Sequence, residues 1–159
     1  MIPRRTYGIK RAPRGRIKPV GARKPKKQGK TAPKLKSISK LIKEADRLFS
    51  IQVRMEGAWQ VDGEWWNRCY TSGYEAPIKK LHCGHYLSRY YKAARWHRDN
   101  ARPQSMMDNM WKRGDPIKFR QNLVAEIGEA RVLDVEKLRD ATIKLSRDYL
   151  TTLIQELSK

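Results

Sequence analysis

Acidic residues are scarce in this chain of 159 residues: 16 Asp and Glu stand against 36 Lys and Arg, a formal net charge of +20. An excess of that size excludes a surface made for cationic ligands and points to a polyanion as partner. Cysteine is almost absent. Cys69 and Cys83 are the only two, too few for a disulfide framework, and no intact CxxC pair stands ready to close a structural zinc site. Long apolar runs are missing as well. Nothing approaches the roughly 20 residues of a spanning helix, and no apolar stretch of a secretory signal follows the basic N-terminus. A soluble chain with no membrane partner is expected. With 2 Phe but 5 Trp and 7 Tyr, much of the packing must come from amphipathic rings. The length allows one domain, or a small domain with a tail.

The charge separates those two parts. Met1 to Lys43 carries 16 Lys or Arg and no acid, which leaves 20 basic and 16 acidic groups in the other 116 residues. Through Lys36 the basic residues alternate with breakers (Pro3, Pro13, Gly15, Pro19, Gly21, Pro25, Gly29, Pro33). Such a segment is expected to be disordered in isolation. We therefore divide the chain into an arm, 1–36, and a folded domain, 37–159. Arg4, Arg5, Lys10, Arg11, Arg14, Arg16, Lys18, Arg23, Lys24, Lys26 and Lys27 of the arm are candidate phosphate contacts. They would release counterions from a nucleic-acid backbone without reading sequence. A solvated tail, or an arm threading RNA, has the same composition.

From Ser37 the pattern becomes helical. Ile38, Leu41, Ile42, Ala45, Leu48, Phe49 and Val53 form one apolar face, with Ser37 or Ser39 as cap and Gly57 as stop. Asp62-Gly63, between Trp59 and Trp65, is a hairpin signal, and the Trp residues around it are expected to build core. Ile78 to Leu87 reads as a strand or hairpin arm, and Arg102 to Gln104 as a returning strand. A short helix capped by Ser105 should run to Lys112 and stop at Gly114. Ile117 to Ile127 reads as helix with a break at Gly128. A short turn carries Val132, Leu133 and Val135, and Leu138, Leu145, Tyr149, Leu153 and Leu157 line one face of a last helix. The fold class is α+β, an aromatic-rich β unit flanked by helices.

Residues 82–114 hold all three histidines, together with Arg89, Arg95, Asn100, Gln104, Asp108 and Asn109. Phosphodiester hydrolysis needs a base for water, a cation for the phosphorane charge and groups that hold both in line. Imidazole, carboxylate and amide side chains suit those roles. His85, Asn100 and Asn109, in that order, suit a β-hairpin followed by a helix around one metal. The series resembles that of HNH nucleases, which have the ββα-metal fold. More closely, Gly84-His85-Tyr86-Leu87-Ser88-Arg89, Ala94-Arg95-Trp96, Asp99-Asn100, Pro103-Gln104, Asn109 and Gly114 are similar to the core of the lambdoid phage NinG/Rap recombination proteins. The likeness runs from about Lys40 to about Leu138.

That resemblance implies an HNH-like ββα-metal core and a phage endonuclease acting, with Mg2+ or Mn2+, on branched DNA such as Holliday junctions, in the cytoplasm of an infected host. His85 would be the general base, Asn100 would fix the hairpin loop and orient His85, and Asn109 would be a metal ligand. Arg89 and Arg95 would meet phosphates. The acidic ligand that many HNH sites place before the base is Gly84 here. Asp108 or Asp99 would have to supply the carboxylate, and Asp108 is the metal-ligand candidate. Relatives commonly carry two CxxC knuckles around one zinc; the matching positions are Cys69-x-x-Ser72 and Ser105-x-x-Asp108. Serine is a poor zinc ligand, so no structural zinc is expected, and Trp59, Trp65, Trp66 and Met106 or Met107 would replace the staple by apolar burial. An irregular site from Cys69, His82, Cys83 and His85 needs a bent strand, because His82 and Cys83 should point oppositely. A homodimer on a symmetric junction and contacts with host recombination proteins are further expectations. The alternatives are a non-catalytic DNA-binding accessory protein on a degraded HNH scaffold, or a general HNH nickase.

Overall fold

The computed structural model describes residues 35–159. The arm's candidate contacts, Arg4 to Lys27, and its expected disorder lie outside the described residues.

The described chain is α+β. Helix α1, Ile38–Met55, starts where the Ser37 hydroxyl accepts a hydrogen bond from the Lys40 amide. It buries Leu41, Ala45, Phe49 and Val53, four positions apart on one stripe. Strands β1 (Trp59–Val61), β2 (Glu64–Arg68) and β3 (Glu75–Pro77) form an antiparallel sheet in that order. Its first turn has Asp62 at φ 48° and Gly63 at φ 78°, the positive pair that a tight hairpin of matching twist requires. Strands β4 (Leu81–His85) and β5 (Ala101–Ser105) make a second antiparallel ribbon, with His82 opposite Gln104 and His85 opposite Ala101. A short, wide-turned helix, Met107–Trp111, follows directly. Helices α2 (Pro116–Ile127), α3 (Glu129–Lys137) and α4 (Arg147–Leu157) complete the domain.

The main core lies where α1 meets α4 and the β4–β5 ribbon: Leu41, Ala45, Phe49, Val53, Trp96, Ala101 and Leu150 pack together, with Cys83 and Leu153 against them. Each large side chain buried there stabilises the domain by about 1.5–3 kcal/mol. Gln52 Nε2 donates to the Leu157 carbonyl at 2.9 Å, tying α1 to the end of α4. Among the described residues no helix is long and apolar enough to cross a membrane.

Three expectations need correction. Trp59, Trp65 and Trp66 are not core. Trp65 is 40% exposed, because the three-stranded sheet is too small to cover two faces and the core forms on α1 instead. Trp59 and Trp66 face each other across the hairpin, where a cross-strand pair stabilises the turn. The segment around Val132 and Val135 is a full helix, with both residues buried. The last helix begins only at Arg147, where the Ser146 hydroxyl accepts from the Tyr149 amide. Leu138 instead packs on the cluster of Leu87, Ala94 and Val135. Its spacing to Leu145 mimicked a continuous helical stripe.

Candidate functional site

An open cavity of about 360 Å³ runs along β4 beside α1, lined by Asp46, Phe49, Ser50, Arg54, Leu81, His82, Cys83, His85, Arg89 and Asn109. Strand alternation sets its walls. Cys83 turns into the α1 core, and burial pushes its thiol up to about 12, which leaves it protonated and inert. His82 turns the other way and meets Asn109, its Nδ1 3.2 Å from the Asn109 amide nitrogen. The irregular Cys69/His82/Cys83/His85 site therefore does not assemble. Among the described residues no three His, Cys, Asp or Glu side chains are grouped to hold a metal.

His85 sits at the end of β4, its ring 6.1 Å from that of Phe49. Nδ1 lies 3.2 Å from the Cys83 carbonyl and Nε2 lies 3.1 Å from the Arg95 carbonyl. A neutral imidazole donates to one of these oxygens and presents a lone pair to the other. Burial holds its pKa below the ordinary 6.5, reinforced by the charge of Arg89 and opposed by the two carbonyls. Base catalysis thus asks that one carbonyl contact hold the tautomer and the other yield to water.

Asn100 organises the loop that carries this arrangement. It is fully buried; its Oδ1 accepts from the Leu87 amide, and its Nδ2 donates to the carbonyls of Leu87 and Ala94. Ala94 immediately precedes the Arg95 carbonyl that faces His85, so the Asn100 amide fixes the loop at the histidine.

The remaining candidates separate. Arg89 is exposed at the cavity and has no acidic partner among the described residues. Arg95 is engaged elsewhere: it forks onto Asp46 at 2.9 and 2.6 Å, and Trp96 Nε1 donates to the same carboxylate. Asp99 is bound by Arg131. Asp108 does not line the cavity. Its carboxylate is 2% exposed, takes hydrogen bonds from the Cys69 thiol and the Ser105 hydroxyl at 3.0 Å each, and pairs with Lys112 Nζ at 2.8 Å. Ser105 also accepts from the Asp108 amide, and the Cys69 sulfur accepts from the Ser105 amide. These bonds, with a further one to Ser72, hold the Asp108 carboxyl far below the usual carboxylate range against the cost of burial.

The positions matching the two knuckles therefore converge, with Lys112 supplying the cation. Met106 and Met107 are 53% and 58% exposed, so hydrogen bonds, and not apolar burial, occupy the staple. A zinc ion would find one thiol there and no second sulfur, and these residues do not fit it.

Gly84 has its own cause. A Cβ on it would lie 2.1 Å from Gln104 Oε1. Gln104 is fully buried and donates to the Gly114 carbonyl at 2.8 Å and the Thr71 hydroxyl at 3.2 Å. Its Oε1 is the one buried side-chain oxygen or nitrogen without a partner among the described residues. Gln104 thus occupies the volume that an acidic ligand at position 84 would need. The cavity's potential ligands are the Asn109 amide, the Ser50 hydroxyl, the protonated Cys83 thiol and the imidazoles of His82 and His85, and its one carboxylate, Asp46, is engaged. That set does not fit Mg2+, which prefers carboxylate and water oxygens.

Sequence reasoning missed three participants. His82 enters the sequence reading only through the irregular zinc site, and its contact with Asn109 brings it to the cavity instead. Arg54 lies on the α1 face toward β4, donating to the Ile78 carbonyl at 2.8 Å. Lys112 was legible as the residue four after Asp108.

Residues 10–159 match the family model described as Bacteriophage Lambda NinG protein. No curated protein and no solved structure matches the chain.

Proposed function

The chain belongs to the bacteriophage lambda NinG family, and we propose that it is a structure-selective endonuclease of phage recombination that cuts branched DNA at the β4 cavity. What carries the reading is His85, fixed by the Asn100 loop at the edge of a cavity flanked by Arg54 and Arg89. His85 takes the proton of the attacking water, and the guanidiniums meet charge developing on the phosphate. The hairpin β4–β5 and the short helix supply an HNH-like frame. The basic arm gives backbone affinity, and backbone contacts make selectivity a matter of DNA geometry. Mg2+ or Mn2+ enters from the resemblance alone.

The test incubates wild type and His85→Ala with labelled four-way junction, flap and linear duplex, in Mg2+, in Mn2+ and in EDTA. Cleavage of the branched substrates by wild type alone is expected; its loss in EDTA would mean that a metal enters with the DNA's own phosphates, since the cavity's side chains do not fit one. Equal cutting of linear duplex would favour a general nickase. No metal-supported cleavage at all would favour a non-catalytic recombination accessory, a reading supported by the two carbonyls against the His85 ring and by the lack of a free carboxylate. Removal of residues 1–36 is expected to weaken DNA binding at low salt and to flatten its salt dependence.

A further inference from the structure

The short helix Met107–Trp111 has three faces. Asp108 points inward to Cys69 and Ser105, and Asn109 points to His82 and the cavity. The third face points to solvent and is apolar: Met106, Met107, Met110 and Trp111 are 53%, 58%, 61% and 75% exposed. So much thioether and indole surface on one short helix is unusual in water. No fold requirement accounts for it, since the helix is already anchored through the Asp108 carboxylate and through the Asp108 amide, which donates to the Ser105 hydroxyl. The surrounding charge is of one sign. Arg113 and Lys118 are exposed without an acidic partner among the described residues, Lys112 and the buried Asp108 pair with each other, and Asp115 caps α2.

We propose that this face is a wedge for the base pairs exposed at a DNA branch point, which rests on the branched-DNA reading above. In a continuous duplex every base pair is stacked on both sides. At a crossover or flap the terminal pairs lose one neighbour and present an apolar face with phosphates on either side. Trp111 and the flexible methionines match that face, and the flanking cations match the phosphates. A second copy of this chain is a poorer occupant, because a protein of formal charge +20 brings like charge to a rim of Lys and Arg. The wedge and Asn109 share one helix, so seating the branch point on Trp111 holds the adjoining phosphates at the β4 cavity. Selectivity for branches then comes from stacking beside the site.

The experiment uses the full chain, with binding read in EDTA and each DNA checked for cleavage on a denaturing gel. Fluorescence anisotropy compares an immobile four-way junction with a linear duplex of equal length, for wild type, Trp111→Ala, Trp111→Phe and Met107→Gln. Trp111→Ala is expected to weaken junction binding about tenfold, the loss of one stacked base, and duplex binding less than about twofold. Trp111→Phe should retain most of the preference, and Met107→Gln should lose part of it. A 2-aminopurine at the branch should change its fluorescence with wild type and not with Trp111→Ala. Circular dichroism melts confirm that each variant is folded; Met107→Gln carries the test should Trp111→Ala unfold. Equal losses on both DNAs, unchanged junction binding, or a dimer in sedimentation that Trp111→Ala dissociates would each overturn the wedge. Cleavage by wild type in Mg2+ and Mn2+ is scored separately, so that absent cleavage defeats the nuclease and leaves branch preference to stand or fall by itself.

Discussion

One short helix separates two polar clusters of opposite character. On one side Asp108, Cys69, Ser105 and Lys112 bond to one another, and the carboxylate at the centre is 2% exposed. On the other side His82, His85 and Asn109 line an open cavity with Arg54 and Arg89. The first cluster is closed: donors and acceptors are matched, and the carboxylate has its cation. Its work is to join β2's end, β5 and the helix. The second sets half-buried imidazole and amide groups along an open cavity, with the Arg89 charge uncancelled by any carboxylate among the described residues. A folded chain has no need of such a surface for stability, and it is there that chemistry is sought.

The largest expected difference between the two sides is kinetic. His85→Ala should lower single-turnover cleavage of a four-way junction by the folded fraction about 10²–10⁴-fold, the usual worth of a general base, while junction binding in EDTA by that fraction stays near wild type. A parallel loss of binding would make His85 a DNA contact and not a base.

Asp108→Ala should act the other way round. It strands the Cys69 and Ser105 donors and the Lys112 ammonium, so urea unfolding should show a loss of about 3 kcal/mol, with cleavage by the folded fraction retained. Because Lys112 provides the charge, EDTA should leave the wild-type melting temperature unchanged. A melting temperature that drops in EDTA, with zinc found by elemental analysis, would turn the closed cluster back into a metal knuckle.

Gly84→Ala probes the floor between the two sides. The added methyl meets Gln104 Oε1, and Gln104 is held by Gly114 and Thr71, so it cannot swing away cheaply. A loss of about 1–3 kcal/mol is expected from overpacking, relieved in part by a second substitution, Gln104→Ala. If Gly84→Ala alone is neutral in urea unfolding, position 84 is open to a carboxylate and the reason given for its glycine fails.

Much of this frame was legible in the sequence, for local reasons. Ser37, the Asp62-Gly63 turn, Ser105 and Gly114 are signals that act within a few residues, and α1, the first hairpin and the short helix stand where they put them. Asn100 as the clamp of the loop was reachable through the family likeness. What the sequence hid is distance in the chain. Cys69 and Asp108 are far apart, and only the fold shows that serine and aspartate at the knuckle positions bond to one another instead of standing idle. The fate of Arg95 depends on Asp46 from another element, and a string of residues cannot show which arginine already has a carboxylate. The tryptophans misled because aromatic content predicts burial on average, while a small sheet leaves its rings half in water.

The smallest expected effect lies in the pH dependence, and it distinguishes the sides by the pH window in which each acts. Burial and the Arg89 charge hold the His85 pKa below 6.5, so the neutral base persists into mildly acidic solution and the acid limb of the cleavage profile should lie below about pH 6.5. Arg89→Ala removes a like charge and should move that limb upward. The same depression works against stability in acid: below about pH 6.5 the unfolded chain protonates His85 and the folded chain resists, so stability falls as pH drops until the folded pKa is reached. His85→Gln should remove this part of the slope between pH 7 and 5 in urea unfolding. Asp108 contributes no slope there, because its carboxyl, held far down in the folded state, is ionised in both states above about pH 5 and its stabilisation is lost only in stronger acid. An acid limb above pH 6.5, unmoved by Arg89→Ala, would mean that the titrating base is a more exposed group than His85.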